Sequence, residues 1–299
     1  MHYKRLFFVF TISLLIKTVY ANSFIISDTN KINTKRVAIV TSSLGVGLTA
    51  SYYYIQNSWW TEKQTDFHFD KGSDLTYALN VDKLGHFMGG IQASDIFRSS
   101  MNWAGIQKEK TFLYGAIFGT GIQLIIEMKD AYAPYWGFSV WDLGFGTAGS
   151  FFPLLKTKHK FLKTIDFKMS YYKRSNAYWE LEAQRGKNIN QYAWQDDYVN
   201  QTYWMVFDVN EYVKDGFWPK WLNIAIGFGI DDTQYLSSNN TKLGGNNEWY
   251  IAFDYDIPKI FKRFDSPIAK KIKYWINYIH FPAPTIKLSP HIEFLPVFL

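Results

Sequence analysis

The stretch from Val140 to Tyr171, VWDLGFGTAGSFFPLLKTKHKFLKTIDFKMSY, changes its repeat part-way along, and that change decides the fold. From Val140 to Leu155 the apolar residues follow helical spacing. Ser139 and Asp142 ahead of them form a capping box in its acidic form, after a loop marked by Pro134 and Gly137. From Lys163 the period becomes two: Ile165, Phe167, Met169 and Tyr171 alternate with Thr164, Asp166, Lys168 and Ser170, as a half-buried strand requires. On the N-terminal side, the pattern predicts further helices over Val37 to Tyr54, Asp82 to Trp103 and Lys110 to Lys129. On the C-terminal side it predicts strands at Tyr203 to Val209, Leu222 to Gly229, Trp249 to Tyr255 and Thr285 to Leu288, with an exposed Ser/Asn/Gly-rich loop at Ser237 to Asn247. The chain therefore reads as α+β. An N-terminal bundle of about four helices (residues 22–155) precedes a mostly antiparallel β region (residues 156–299), which carries a C-terminal amphipathic helix at Ser266 to Ile279. With about five strand candidates the β region falls short of the roughly eight or more that a membrane barrel needs.

Residues 1–21 have the form of a secretory signal peptide. Lys4 and Arg5 precede an apolar run from Leu6 to Ile16, and Val19-Tyr20-Ala21 offers small residues for cleavage after Ala21. Eleven residues are too few for a hydrocarbon core that takes about 20 in a helix. Losing the three basic residues of this segment lowers the net charge from +6 to +3 over 278 residues, which removes the electrostatic case for a nucleic-acid partner. The 299 residues include no cysteine, so disulfides, thiolate zinc sites, a cysteine nucleophile and a lipobox are excluded. Nor do they contain a Gly-x-Ser-x-Gly elbow or a phosphate loop. The expected location is the exported compartment: the periplasm or an outer-membrane-associated cell envelope.

A membrane surface or lipid is the expected partner, beside an unidentified envelope ligand or protein. Uncharged helix cores of sixteen to eighteen residues suit a bundle held at or partly in a membrane, with a soluble periplasmic bundle as the alternative. Gly115 and Gly119 allow close helix packing in either case. Lys270, Lys271 and Lys273 beside Ile268, Ile272, Trp275 and Ile276 give a helix able to lie on an anionic surface or simply to face solvent.

Polar residues inside these apolar segments are the candidate site, because each costs several kcal/mol unless paired or wet. Asp82 and His86 share one helix face, with Lys83 beside them. Thr120, Gln123, Glu127 and Asp130 form a polar stripe along the third helix, and Ser139 and Asp142 open the fourth. Converging faces would enclose one polar cleft of Asp82, Lys83, His86, Gln123, Glu127, Asp130, Ser139 and Asp142. Three readings remain open: ion pairs that fix helix register, a pocket for a polar ligand or lipid head group, and a metal-dependent hydrolase. In the last, Asp82, His86 and Glu127 are the candidate ligands of a divalent metal, Mg or Mn rather than Zn, and Asp130 or Asp142 is the base. The sequence requires no cofactor.

The segments VDKLGHFMGG, IIEMKDAY and WGFSVWDLGFGTAGS resemble the bacterial envelope family known only as predicted periplasmic lipoproteins, a domain of unknown function. DDYVNQTYWMVFDVN from Asp196, FWPKWLNIAIGFG from Phe217 and EWYIAFDYDIP from Glu248 extend the likeness to its larger Bacteroidetes-type members, over roughly Val37 to Pro258. The first three segments also bear a weaker likeness to the VanZ-like membrane family. Gly146 stands where such families tend to have an asparagine, and the lipobox cysteine is absent. The resemblance implies an envelope location and no defined activity.

Overall fold

The computed structural model describes residues 32–299 apart from 59, 61–62, 71, 73, 135, 185–193, 195–196, 214–215 and 239–241. The expected signal peptide, Trp59, Asp196 and residues 239–241 of the expected Ser/Asn/Gly-rich loop lie outside the described residues. The fold is α+β, with the N-terminal helices followed by an antiparallel sheet.

Four long helices come first: α1 (Thr34–Ser58), α2 (Val81–Trp103), α3 (Lys108–Asp130) and α4 (Val140–Lys158). Helix α1 packs Val40 against Phe97, Met101 and Phe118, where the rings of Phe97 and Phe118 stack at 4.5 Å. Glycines let α2, α3 and α4 approach closely. A Cβ on Gly90 would collide with the Gly146 carbonyl oxygen, and one on Gly149 with the carbonyl oxygen of Phe87. Among the described residues, α3 is the one helix long and apolar enough to cross a membrane. It also buries Gln123 and Glu127 between its neighbours, as a core helix does.

The backbone of Ala78, Leu79 and Asn80, at φ 45°, 45° and 68°, turns the chain into α2. Three successive residues that are not glycine in the left-handed region are strained by about 1–3 kcal/mol each. That strain fixes where Asp82 and Lys83 begin the helix, and Asn247 Nδ2 holds the turn by donating to the Leu79 carbonyl at 3.1 Å.

After the short α5 (Lys160–Lys163), strands β1 (Ile165–Tyr171), β2 (Gln201–Phe207), β3 (Leu222–Ile230), β6 (Asn247–Tyr255), β7 (Ala283–Ser289) and β8 (Glu293–Phe298) form one antiparallel sheet in the order β1-β2-β3-β6-β7-β8. The connection from β1 to β2 carries α6 (Ala177–Gln184), and a small hairpin, β4 (Gln234–Leu236) and β5 (Lys242–Gly244), interrupts the path from β3 to β6. This hairpin replaces part of the loop expected at Ser237 to Asn247. Lys242 is buried there against Glu182 at 2.6 Å, a partner distant in sequence. Strand β8 and helix α6 were likewise not expected from local pattern, since neither has regular alternation or a full helical face. Two short helices, α7 (Ile257–Ile260) and α8 (Pro267–Ile276), link β6 to β7, and Ser266 Oγ caps α8 by accepting from Ala269 N.

One sheet face rests on the bundle through Ile165, Tyr203 and Ile230, packed with Val81, Met88, Ile91 and Phe152. The residues of the opposite face, Trp204, Val206, Ala225, Tyr250 and Ala252, are buried as well, with Leu295 and Phe298 packed against them. The alternating polar side of β1 is therefore not a solvent face. Lys168 is buried 2.8 Å from Asp254 Oδ2, and Ser170 accepts from Trp204 Nε1 at 2.9 Å.

Candidate functional site

The cleft opens at the N-terminal end of α2, where α3 and α4 approach it. Lys83 reaches across rather than out: its Nζ lies 2.6 Å from Asp74 Oδ1, 2.9 Å from Asp82 Oδ2 and 2.8 Å from Asp142 Oδ1. Asp74 precedes the strained turn, so one ammonium joins that loop, α2 and α4. On the adjacent side of the cleft, Gln123 Oε1 lies 2.9 Å from His86 Nδ1, Glu127 Oε1 3.8 Å from the same nitrogen, and Asp142 Oδ2 3.9 Å from Nε2. Beneath them, Tyr203 donates from its hydroxyl to Gln201 Oε1 at 2.6 Å and approaches Gly85, where a side chain would crowd it.

Ser139 organises the opening of α4. Its hydroxyl accepts from Asp142 N at 3.0 Å and donates to Asp74 Oδ2 at 2.5 Å, while its own N–H donates to Glu127 Oε2 at 3.0 Å. The reciprocal half of the expected capping box is thus supplied by Glu127 on α3, and the Asp142 carboxylate is released to face Lys83 and His86.

Four carboxylates and one ammonium share this space, and burial sets its electrostatics. Glu127 is 1% exposed, and its pKa is pushed up to about 9, first by burial and then by the charges of Asp142 and Asp130. Burial and Asp142 likewise raise Asp82 well above the usual carboxylate range, and they raise Asp74 as well. Burial by itself would lower Lys83, but Asp82 and Asp142 outweigh it and hold the ammonium charged. Glu127 Oε1 and Asp82 Oδ1 are buried without a hydrogen-bond partner. Such an oxygen costs about 1–3 kcal/mol, more when charged.

Of the residues expected in one cleft, Asp82, Lys83, His86, Gln123, Glu127, Ser139 and Asp142 come together, and Asp130 stands beside Glu127 with its carboxylate turned to Trp60. Asp130 Oδ1 accepts from Trp60 Nε1 at 2.6 Å, because the stripe on α3 rotates away from α4 by its last turn and meets the end of α1. Thr120, at the other end of the stripe, has a buried hydroxyl that makes no hydrogen bond. The expected metal set also divides. Ligand atoms of His86, Glu127 and Asp142 lie within 4.8 Å of one another, and Asp82 instead groups with Asp74 and Asp142.

Two residues were missed. Asp74 sits in a loop without periodicity, and only its spacing ahead of Lys83 could have hinted at it. Asp197, just ahead of β2, is buried and accepts from Tyr171, Lys173, Trp179 and Asn200 side chains. Gln123 also accounts for Gly146: a Cβ there would come within 2.7 Å of Gln123 Cδ and Oε1, so an amide from α3 fills the space over that glycine.

No curated protein and no solved structure matches the chain. Residues 69–158, which contain Asp74, all of α2 to α4 and hence every member of the cleft, match the family described as predicted periplasmic lipoprotein (DUF2279), a domain of unknown function, which is consistent with an exported protein of the cell envelope.

Proposed function

We propose that this is a membrane-associated envelope factor that binds a cation or cationic group in the cleft between α2, α3 and α4, without turning it over. One observation carries the reading: four carboxylates converge where the chain supplies a single ammonium, and the buried Glu127 Oε1 accepts no hydrogen bond. A purely structural network would give each buried carboxyl oxygen a partner, because an unsatisfied one is costly. Lys83 forms ion pairs with Asp74, Asp82 and Asp142 and so pins helix register, while on the His86 side Glu127 Oε1 is left without a partner. Hydrolysis fits less well, since Asp130 is engaged by Trp60 and Asp142 is already shared between Lys83 and His86.

Membrane association rests on α8. Ile268 and Ile272 are 72% and 52% exposed, and Lys270, Lys271 and Lys273 stand beside them, the combination that favours an anionic lipid surface.

The cleft reading is tested by thermal melting of the full chain with Mn2+, Mg2+, Ca2+, ethanolamine and spermidine, each against Glu127→Gln. Stabilisation of the wild type by either class of cation, abolished in the variant, is the expected result. A wild type that none of these shifts would refute it.

A further inference from the structure

We propose that the His86–Glu127–Asp142 corner of the cleft is a divalent-cation site whose donors favour Mn2+. This deepens the cation-binding reading above and rests on it. The cleft contains two neighbouring groups of three side chains that share Asp142: Asp74, Asp82 and Asp142, and His86, Glu127 and Asp142. Lys83 Nζ occupies the first as a built-in cation, in ion contact with all three acids. Among the described residues, no lysine or arginine makes an ion pair with Glu127, so the second group has the same acidic construction and lacks the cation. Glu127 Oε1, on a side chain 99% buried, points into that space with no hydrogen-bond partner.

The donors suit an ion. Ligand atoms of His86, Glu127 and Asp142 lie within 4.8 Å of one another, close to the span of about 4.4 Å that two donors each about 2.1–2.2 Å from one metal allow, and Nε2 of His86 stands 3.9 Å from Asp142 Oδ2. Gln123 Oε1 accepts from His86 Nδ1–H, which orients the ring and leaves the Nε2 lone pair toward Asp142, as an outer partner does for a ligating histidine. Two carboxylates and a neutral imidazole balance a double positive charge. His86 is 17% exposed, so water can complete the coordination. One ring nitrogen among oxygens fits Mn2+ better than Zn2+, which favours thiolate and several imidazoles, or Ca2+, which takes oxygen alone.

The test is Mn2+ binding to the full chain by equilibrium dialysis, with pulsed electron paramagnetic resonance on the bound ion. The wild type is expected to bind one Mn2+ per chain with a nitrogen coupling from imidazole. Glu127→Gln and His86→Asn should lose at least the roughly 10–100-fold in affinity that removing a ligand-orienting partner costs. Asp166→Asn, an exposed carboxylate on β1 outside the cleft, should stay within about threefold, a change well below that range. Bound Mn2+ without nitrogen coupling in the wild type would overturn the assignment even if a variant failed to fold. Equal losses in Asp166→Asn and Glu127→Gln would also overturn it. Stabilisation by ethanolamine or spermidine with no metal binding would sink the metal site and spare the cation-binding reading, whereas no effect of any cation would sink both.

Discussion

Glu127 Oε2 accepts the Ser139 N–H at 3.0 Å, so the acid that closes the cap of α4 comes from α3, twelve residues earlier in the chain. This single bond ties the opening of α4 to the wall of the cleft. It also explains why Glu127 has one satisfied and one unsatisfied oxygen.

Ser139 should therefore matter beyond helix capping. Ser139→Ala removes the acceptor for Asp142 N and the donor to Asp74, and the expected loss is about 1–2 kcal/mol in urea denaturation. A loss no larger than that of an exposed serine would mean that the cap is dispensable.

Lys83→Met leaves Asp74, Asp82 and Asp142 facing one another without a countercharge. Removing one partner of a buried ion pair costs roughly 3–5 kcal/mol, and adding Asp82→Asn should recover part of it. Additive effects in the double variant would show that Lys83 and Asp82 are not coupled.

Gly146→Ala places a methyl group against the Gln123 side chain, with an expected cost of about 1–3 kcal/mol. Gln123→Ala in the same chain should relieve most of this. Thermal melts of the two single variants and the double variant measure the coupling, and an unrelieved double variant would contradict the contact.

The start of β6, an inner strand of the sheet, has an acid-sensitive cluster. Burial alone would raise the pKa of Glu248, but Arg174, Lys287 and the Tyr250 hydroxyl overcome that and hold it below its ordinary 4.5. A folded-state value below the unfolded one contributes stability that is full above about pH 4.5 and is lost as pH falls through the folded value. The difference in melting temperature between wild type and Glu248→Gln should thus be largest above pH 4.5 and shrink below it. A difference independent of pH would show that Glu248 is not held ionised by these partners.

For the membrane face, each lysine near an anionic surface contributes about 1 kcal/mol, or roughly fivefold in binding. Lys270→Gln and Lys271→Gln should each lower flotation with phosphatidylglycerol-containing vesicles by about that factor, and Ile272→Glu should lower it with or without salt. Unchanged flotation in all three would remove α8 from the membrane interface.

Local repeat was enough to read the four long helices and most of the sheet, because helical and strand periods leave a mark within ten to twenty residues. The same logic placed Asp82 with His86 on one face and Gln123 with Glu127 on another. Which acids meet was decided only by tertiary structure. Asp74 enters from a loop with no repeat, the Asp130 carboxylate turns to Trp60 at the last turn of α3, and Lys83 fills one acidic group while its neighbour receives no ammonium. The hairpin of β4 and β5 and the buried Lys168 were hidden for a related reason: their partners, Glu182 and Asp254, are far away in sequence. A side chain's period records the face it occupies, but separations of a few ångström between distant segments determine which charge it neutralises, and those exist only once the helices have packed.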